Sequence, residues 1–418
     1  MEKLNINGID TSLIKTKKYK TLSFLITFVG EFTKDNATSR FLLSRVLCNS
    51  SKKYQTKKIM ANKLFDLYDA NISVSTIKLH KVNLTLFYLE VINPHFTKDE
   101  NHLKDAIDFL KEIIFNPNVE NGGFREEVFN EEKRMLSDSI KNIYNNKPYY
   151  AFNRLLEVMG KDEIVSVSSL GTIEDLEKIT KESLYEFYLD SIKNEEVKIY
   201  AIGDITENEL SEYFKDFPFN HNRVNLESYS KEIKVIDEVK EVIEKQEINQ
   251  AQLLMGFRTN ITYGDKLYLP LVIFNMMLGG MASSDLFRVI REENSLSYSV
   301  GSNVLFPSKI LIITAGIDQK NYNLATDLII KEIERYKTGD INEELIEIAK
   351  INFINSLKET NDEPTSLLIF EAKKDLQKTM SLEELIEKSN LVTKEEIMEA
   401  SKLLELDTIY MLRGEGNE

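Results

Sequence analysis

MLGGMASSDLFRVIREENSLSYSV, running from Met277 to Val300, is the stretch whose reading decides the fold. Apolar Met277 and Leu278 lead into Gly279-Gly280, where glycine is expected to take the positive φ that closes a buried helix. Ser283 or Ser284 then caps a second helix, whose apolar face is Leu286, Phe287, Val289 and Ile290. The polar run from Arg291 to Ser295 ends that helix, and a strand follows from Leu296 to Leu305. Arg291 thus falls in a last helical turn and Tyr298 just inside the next strand. A tight connection between them aims an arginine fork and a phenol hydroxyl into one cleft, where both donate hydrogen bonds to a peptide carbonyl or to the oxyanion it becomes. The plainer alternative is that the helix dipole favours arginine at that position and that the tyrosine simply packs.

Bulk properties limit the remaining possibilities. A chain of 418 residues, 42% hydrophobic and 29% charged, is long enough for two globular domains of about 200 residues each. Its net charge of −15 argues against a general nucleic-acid binder, because a phosphate backbone would repel it. The single cysteine, Cys48, cannot close an intramolecular disulfide and reads as a core thiol beside Val46 and Leu47. No apolar run resembles a signal peptide or a membrane span, so the sequence points to a cytoplasmic protein.

Outward from the opening stretch, the first half reads as strands, then helices, then a strand. Leu22, Phe24, Ile26 and Phe28 alternate in a strand over Thr21–Glu31. A helix opens at Asn36 or Thr38, and Thr56 caps another through Met60, Leu64 and Leu67. Asn71–Lys78 and Val82–Ile92 read as paired strands. Asp99–Phe115 is amphipathic and stops at Asn116-Pro117. Helices are expected over 124–144, 149–159 and, as one element, 172–190, before a strand ending at Gly203-Asp204.

A polar stretch from His221 to Lys245 then reads as a linker plus a first strand. Gln250–Phe257 and Leu267–Leu278 repeat the opening of the first half, and the helix pairs before Val197–Asp204 and Thr408–Glu415 echo each other. The expected fold is therefore α+β: two similar domains in tandem, each a largely antiparallel sheet with helices packed on one face. Their expected bounds are residues 1–220 and 246–418, with the linker and first strand at 221–245.

The pattern from Leu286 to Val300, close to L-F-x-x-I-R-E-x-x-x-L-x-Y-S-V after a Gly-rich loop, resembles the second-domain signature of the insulinase and mitochondrial-processing-peptidase (pitrilysin-type) zinc peptidases. The likeness covers nearly the whole chain. In active relatives the arginine and tyrosine hold the substrate backbone at the zinc site, and the resemblance carries that role to Arg291 and Tyr298. The N-terminal half is most similar to a Firmicute branch of silent insulinase-like proteins associated with aminopentanol modification of elongation factor P.

The zinc-binding domain of that family departs from its pattern here. Active members place His-x-x-Glu-His on the helix after the first strand, with two histidines for zinc and a glutamate as base. The corresponding segment is Arg40-Phe-Leu-Leu-Ser44: Arg40 and Ser44 replace the histidines, and Leu43 replaces the base. If Glu132 is the earlier of the family's two spaced glutamates, Ser139 stands where the third ligand belongs, or Asp138 if the register is one residue off. His80, His95, His102 and His221 are scattered, with no helical pair.

The resemblance therefore implies a non-catalytic, substrate-binding subunit of a heterodimeric zinc peptidase. No metal is expected in this chain. Zinc is expected in a homologous partner that carries the histidine motif, with a peptide as substrate and no nucleic acid or membrane involved. A homodimer in the absence of that partner stays open. The alternative is a purely structural or assembly protein that keeps the fold without peptidase work.

Overall fold

A computed structural model describes residues 1–99 and 101–415. Its strands are β1 (Glu2–Ile6), β2 (Ile9–Lys15), β3 (Thr21–Glu31), β4 (Asn71–Leu79), β5 (Val82–Ile92), β6 (Val119–Glu120), β7 (Gly123–Phe124), β8 (Glu196–Gly203), β9 (Lys240–Lys245), β10 (Ala251–Arg258), β11 (Ser297–Leu305), β12 (Ile310–Ile317) and β13 (Glu405–Arg413). One sheet runs β1-β2-β8-β3-β5-β4 and another β11-β12-β10-β13-β9, with β6 and β7 forming a small hairpin. Each large sheet is antiparallel except for one pair, β2 with β8 and β9 with β13. Aligning β2-β8-β3-β5-β4 with β9-β13-β10-β12-β11 superposes the two topologies strand for strand, which is the duplication expected from the echoing ends.

The chain forms two compact units that are not contiguous in sequence. The first comprises Met1–Lys141, Val167–Ser228 and Glu363–Lys373; the second comprises Asn142–Ser166, Tyr229–Asp362 and Lys374–Glu418. The division therefore differs from 1–220 and 246–418. The helix Lys147–Met159 belongs with the second sheet, and most of the helix Pro364–Gln377 belongs with the first. Hydrophobic periodicity reveals that such helices exist but not which sheet buries them.

In the first unit β3 is the central strand, and Leu22 through Gly30 are all buried. Phe24, Ile26 and Phe28 face one core with Leu42, Leu110 and Leu184. Burial of each such side chain contributes about 1.5–3 kcal/mol. On the opposite face Tyr88 of β5 bonds Ser23 Oγ at 3.2 Å. Thr365, from the helix contributed by the distant segment, also bonds Tyr88. Burial raises the phenol to about 12. Coverage of both faces explains why the observed strand is buried throughout rather than in alternation.

Local signals place most boundaries. Thr56 accepts a hydrogen bond from Ile59 N and starts the helix Lys57–Asp66. The helix expected over 172–190 is two helices, Ile173–Lys178 and Lys181–Asn194, because Thr180 and Ser183 form a reciprocal capping box that restarts the chain. Met1–Lys20 supplies the edge strands β1 and β2. Ile233 and Val235 are 74% and 75% exposed and belong to no strand, the linker strand being Lys240–Lys245. Cys48 is partly buried against the first core, and burial raises its thiol above the ordinary value.

Candidate functional site

In the second unit the helix Tyr268–Asn275 follows β10 and widens into a π-helical turn, Met276–Gly280. Gly279 and Gly280 are not among the positive-φ glycines, so the expected left-handed closure does not occur. Gly279 is required by space instead: a Cβ there would lie 2.6 Å from Ser302 N on β11. Helix end and strand thus meet backbone to backbone. Ser302 Oγ reinforces the contact with a 2.8 Å bond to Asn275 Oδ1.

The next helical segment, Phe287–Glu293, is also π-helical, and it has no side-chain cap. Ser284 Oγ is buried without a hydrogen-bond partner, so the serine cap expected at 283 or 284 is not made. Asp285 fixes this end of the segment. Its buried carboxylate accepts from Arg288 at 3.0 Å, from Arg335 at 2.5 Å and from Tyr336 Oη at 2.5 Å. Burial, with Asp285 alongside, pushes the Tyr336 hydroxyl far above the ordinary phenol range, so it remains a donor. The far end closes through Ser295, at φ 52°, which turns the chain into β11.

These constraints bring Arg291 and Tyr298 together. The Arg291 guanidinium carbon lies 4.7 Å from the Phe287 ring centre and 4.8 Å from that of Tyr298. Among the described residues neither Arg291 nor the Tyr298 hydroxyl has a side-chain hydrogen-bond or ion-pair partner, and Tyr298 is 77% exposed. Both line an open cleft of about 570 Å³ with Phe287, Gln252 and Leu254 of β10, Thr314 and Gly316 of β12, and Pro148 and Phe152 of the helix Lys147–Met159. Gln252 pairs with Gly316 and Leu254 with Thr314, so period-two alternation puts all four on one sheet face. The helix packs in one core with Leu254 of β10, Tyr410 and Leu412 of β13 and Ile310 and Ile312 of β12, and the Thr314–Gly316 end of β12 lines the cleft.

That helix is tied down by charge. Tyr150 Oη and Tyr410 Oη donate to Glu244 at 2.5 and 2.8 Å. Arg258 joins Asp407 at 2.7 Å and the Met159 carbonyl at 2.8 Å. Phe152 and Pro148 therefore form a fixed wall of the cleft. Sequence reasoning missed them because their helix reads as part of the first half.

The first unit presents the opposite arrangement on the helix Ala37–Asn49, which follows β3. Arg40, 5% exposed, donates to Glu195 Oε1 at 2.9 Å and to the Glu31 carbonyl at 2.9 Å. Leu43 is in the core, and Ser44 Oγ turns back to the Phe41 carbonyl at 2.8 Å. Ser139, on the helix Glu126–Ile143, bonds the Met135 carbonyl at 2.8 Å.

The two helices meet at Glu132, whose fully buried carboxylate accepts from Arg45 at 3.0 Å, Asn49 at 3.0 Å and Lys57 at 2.8 Å. The signal for this cluster was Arg45 and Asn49, spaced i, i+4 on the expected metal helix itself. His102 is buried, with ring nitrogens against the carbonyls of Asp99 and Ile92. Among the described residues no group of three or more His, Cys, Asp or Glu could hold a metal ion. Zinc does not fit the groups at Arg40, Leu43, Ser44 and Ser139: an ion-paired guanidinium, a core leucine and two hydroxyls bonded to backbone carbonyls.

A family model described as the peptidase M16 inactive domain matches residues 178–353. Over 411 residues the chain is 31% identical to "Probable inactive metalloprotease YmfF" of Bacillus subtilis (strain 168), spanning 97% of this chain and 96% of that protein. The chain belongs to the peptidase M16 family. Its fold is that of other M16-like chains. A conserved protein from Enterococcus faecalis V583 is 32% identical, with TM-score 0.91, covering 99% of this chain and 98% of that one. An M16 inactive-domain structure from Pseudomonas fluorescens shares the fold at 14% identity and TM-score 0.83, covering 100% and 98%. Among the described residues of this M16 chain, no helix is long and apolar enough to cross a membrane.

Proposed function

We propose that this chain is the non-catalytic, substrate-binding subunit of a heterodimeric zinc peptidase of the cytoplasm. The supporting observation is Arg291: a guanidinium in an open cleft, lying over two aromatic rings, beside the Tyr298 hydroxyl and without a protein acceptor. Such donors suit a peptide carbonyl or the oxyanion formed from it. The partner, a homologue with the His-x-x-Glu-His motif, brings the zinc and the general base. The degenerate positions Arg40, Leu43, Ser44 and Ser139 have no catalytic part in this reading.

The test is to mix the purified chain with such a homologue, zinc and a peptide library. Hydrolysis is expected from the mixture and not from this chain alone. Arg291→Ala or Tyr298→Phe should lower turnover by roughly tenfold or more, as for loss of a hydrogen bond made in the transition state. Full activity of both variants in the mixture rejects the assisting role and puts the structural or assembly reading ahead.

A further inference from the structure

We infer that the Arg291 cleft selects peptides that carry a carboxylate beside the bound backbone, from an Asp or Glu side chain or a free C-terminus. This inference rests on the peptide-binding reading above.

Arg291 is the sole charged residue among the described residues that line the cleft. The chain carries 68 acidic against 53 basic residues, yet among the described residues that line the cleft there is no Asp or Glu. Of the carboxylates near Arg291 in the chain, Asp285 holds Arg288 and Arg335, Glu293 holds Arg288 at 2.5 Å, and the exposed Glu292 is not among the residues that line the cleft. A cation in a partly desolvated cleft without a counter-ion gains most from an anion, because a neutral carbonyl leaves its charge unbalanced.

The geometry favours the same ligand. The guanidinium carbon lies over the rings of Phe287 and Tyr298, contacts that need none of its five N–H groups and so leave the fork to make hydrogen bonds. That fork matches the two oxygens of a carboxylate. Gln252 and the exposed Thr314 hydroxyl are neutral polar groups on the cleft floor, and Phe152, Leu254 and Val300 supply apolar walls for the flanking residue.

The experiment is fluorescence anisotropy on the purified chain with an N-terminally labelled octapeptide of Ala, Thr and Val in three versions: free acid, C-terminal amide, and amide with one central Glu. At least one carboxylate-bearing version is expected to bind about tenfold more tightly than the plain amide. The version that gains identifies the source of the carboxylate. The advantage should vanish in Arg291→Gln, be partly restored in Arg291→Lys, which keeps the charge without the fork, and shrink with added salt.

Equal binding of all three versions that still depends on Arg291 overturns carboxylate selection and leaves peptide binding standing. Binding that is indifferent to Arg291, or no binding of any version, overturns both.

Discussion

Two arginines occupy related stretches of the duplicated fold and have opposite surroundings. Arg40 follows β3 in the first unit, is 5% exposed, and is neutralised by Glu195 at 2.9 Å. Arg291 lies before β11 in the second unit, over two aromatic rings and without an ion-pair partner among the described residues. The first is held in an internal ion pair and is buried away from any ligand. The second keeps its hydrogen-bonding capacity, since Asp285 and Glu293 are held by Arg288 and Arg335 and no carboxylate lines its cleft among the described residues. A charge that serves the fold has its partner within the chain, and a charge available for binding does not.

The comparison breaks most readily at Glu195. Glu195→Ala strands the Arg40 charge in the interior, and a loss of about 3–5 kcal/mol is expected in urea unfolding. A loss below about 1 kcal/mol would mean that the pair is not structural.

A smaller effect is expected where the second unit depends on close packing rather than charge. Gly279→Ala forces a methyl group against Ser302 N and should cost about 1–3 kcal/mol. It should also weaken peptide binding, since β11 carries Tyr298; unchanged stability would show that the helix end shifts freely.

The smallest effect sharpens the contrast. Arg291→Gln and Tyr298→Phe should each change unfolding stability by no more than about 0.5 kcal/mol, as at a surface position without hydrogen bonds. Destabilisation comparable to that of Glu195→Ala would make Arg291 a structural residue like Arg40.

Several elements of this fold were legible from local chemistry. The strand over Thr21–Glu31, the Thr56 cap and the paired strands before Ile92 follow from short-range patterns, and they recur in the structure with bounds within a residue or two. The split at Thr180 was missed because Ser183 rather than Glu or Gln completes the capping box, a weaker cue. The glycine pair was read for its φ freedom, whereas space against Ser302 is what requires Gly279, and only a three-dimensional neighbour supplies that reason.

By itself the sequence determined that the chain is duplicated, that its stretch Ala37–Asn49 holds no histidine, and that Arg291 and Tyr298 are separated by one tight connection. These follow from residue identity and spacing, which act over a few residues. Only the tertiary structure decided that Glu195 and Glu132 neutralise the charges of the first unit, that a helix encoded in the first half walls the cleft of the second, and that nothing in the described chain neutralises Arg291. Ion pairing and burial depend on which distant segments the fold brings within a few ångströms, and no local pattern encodes that.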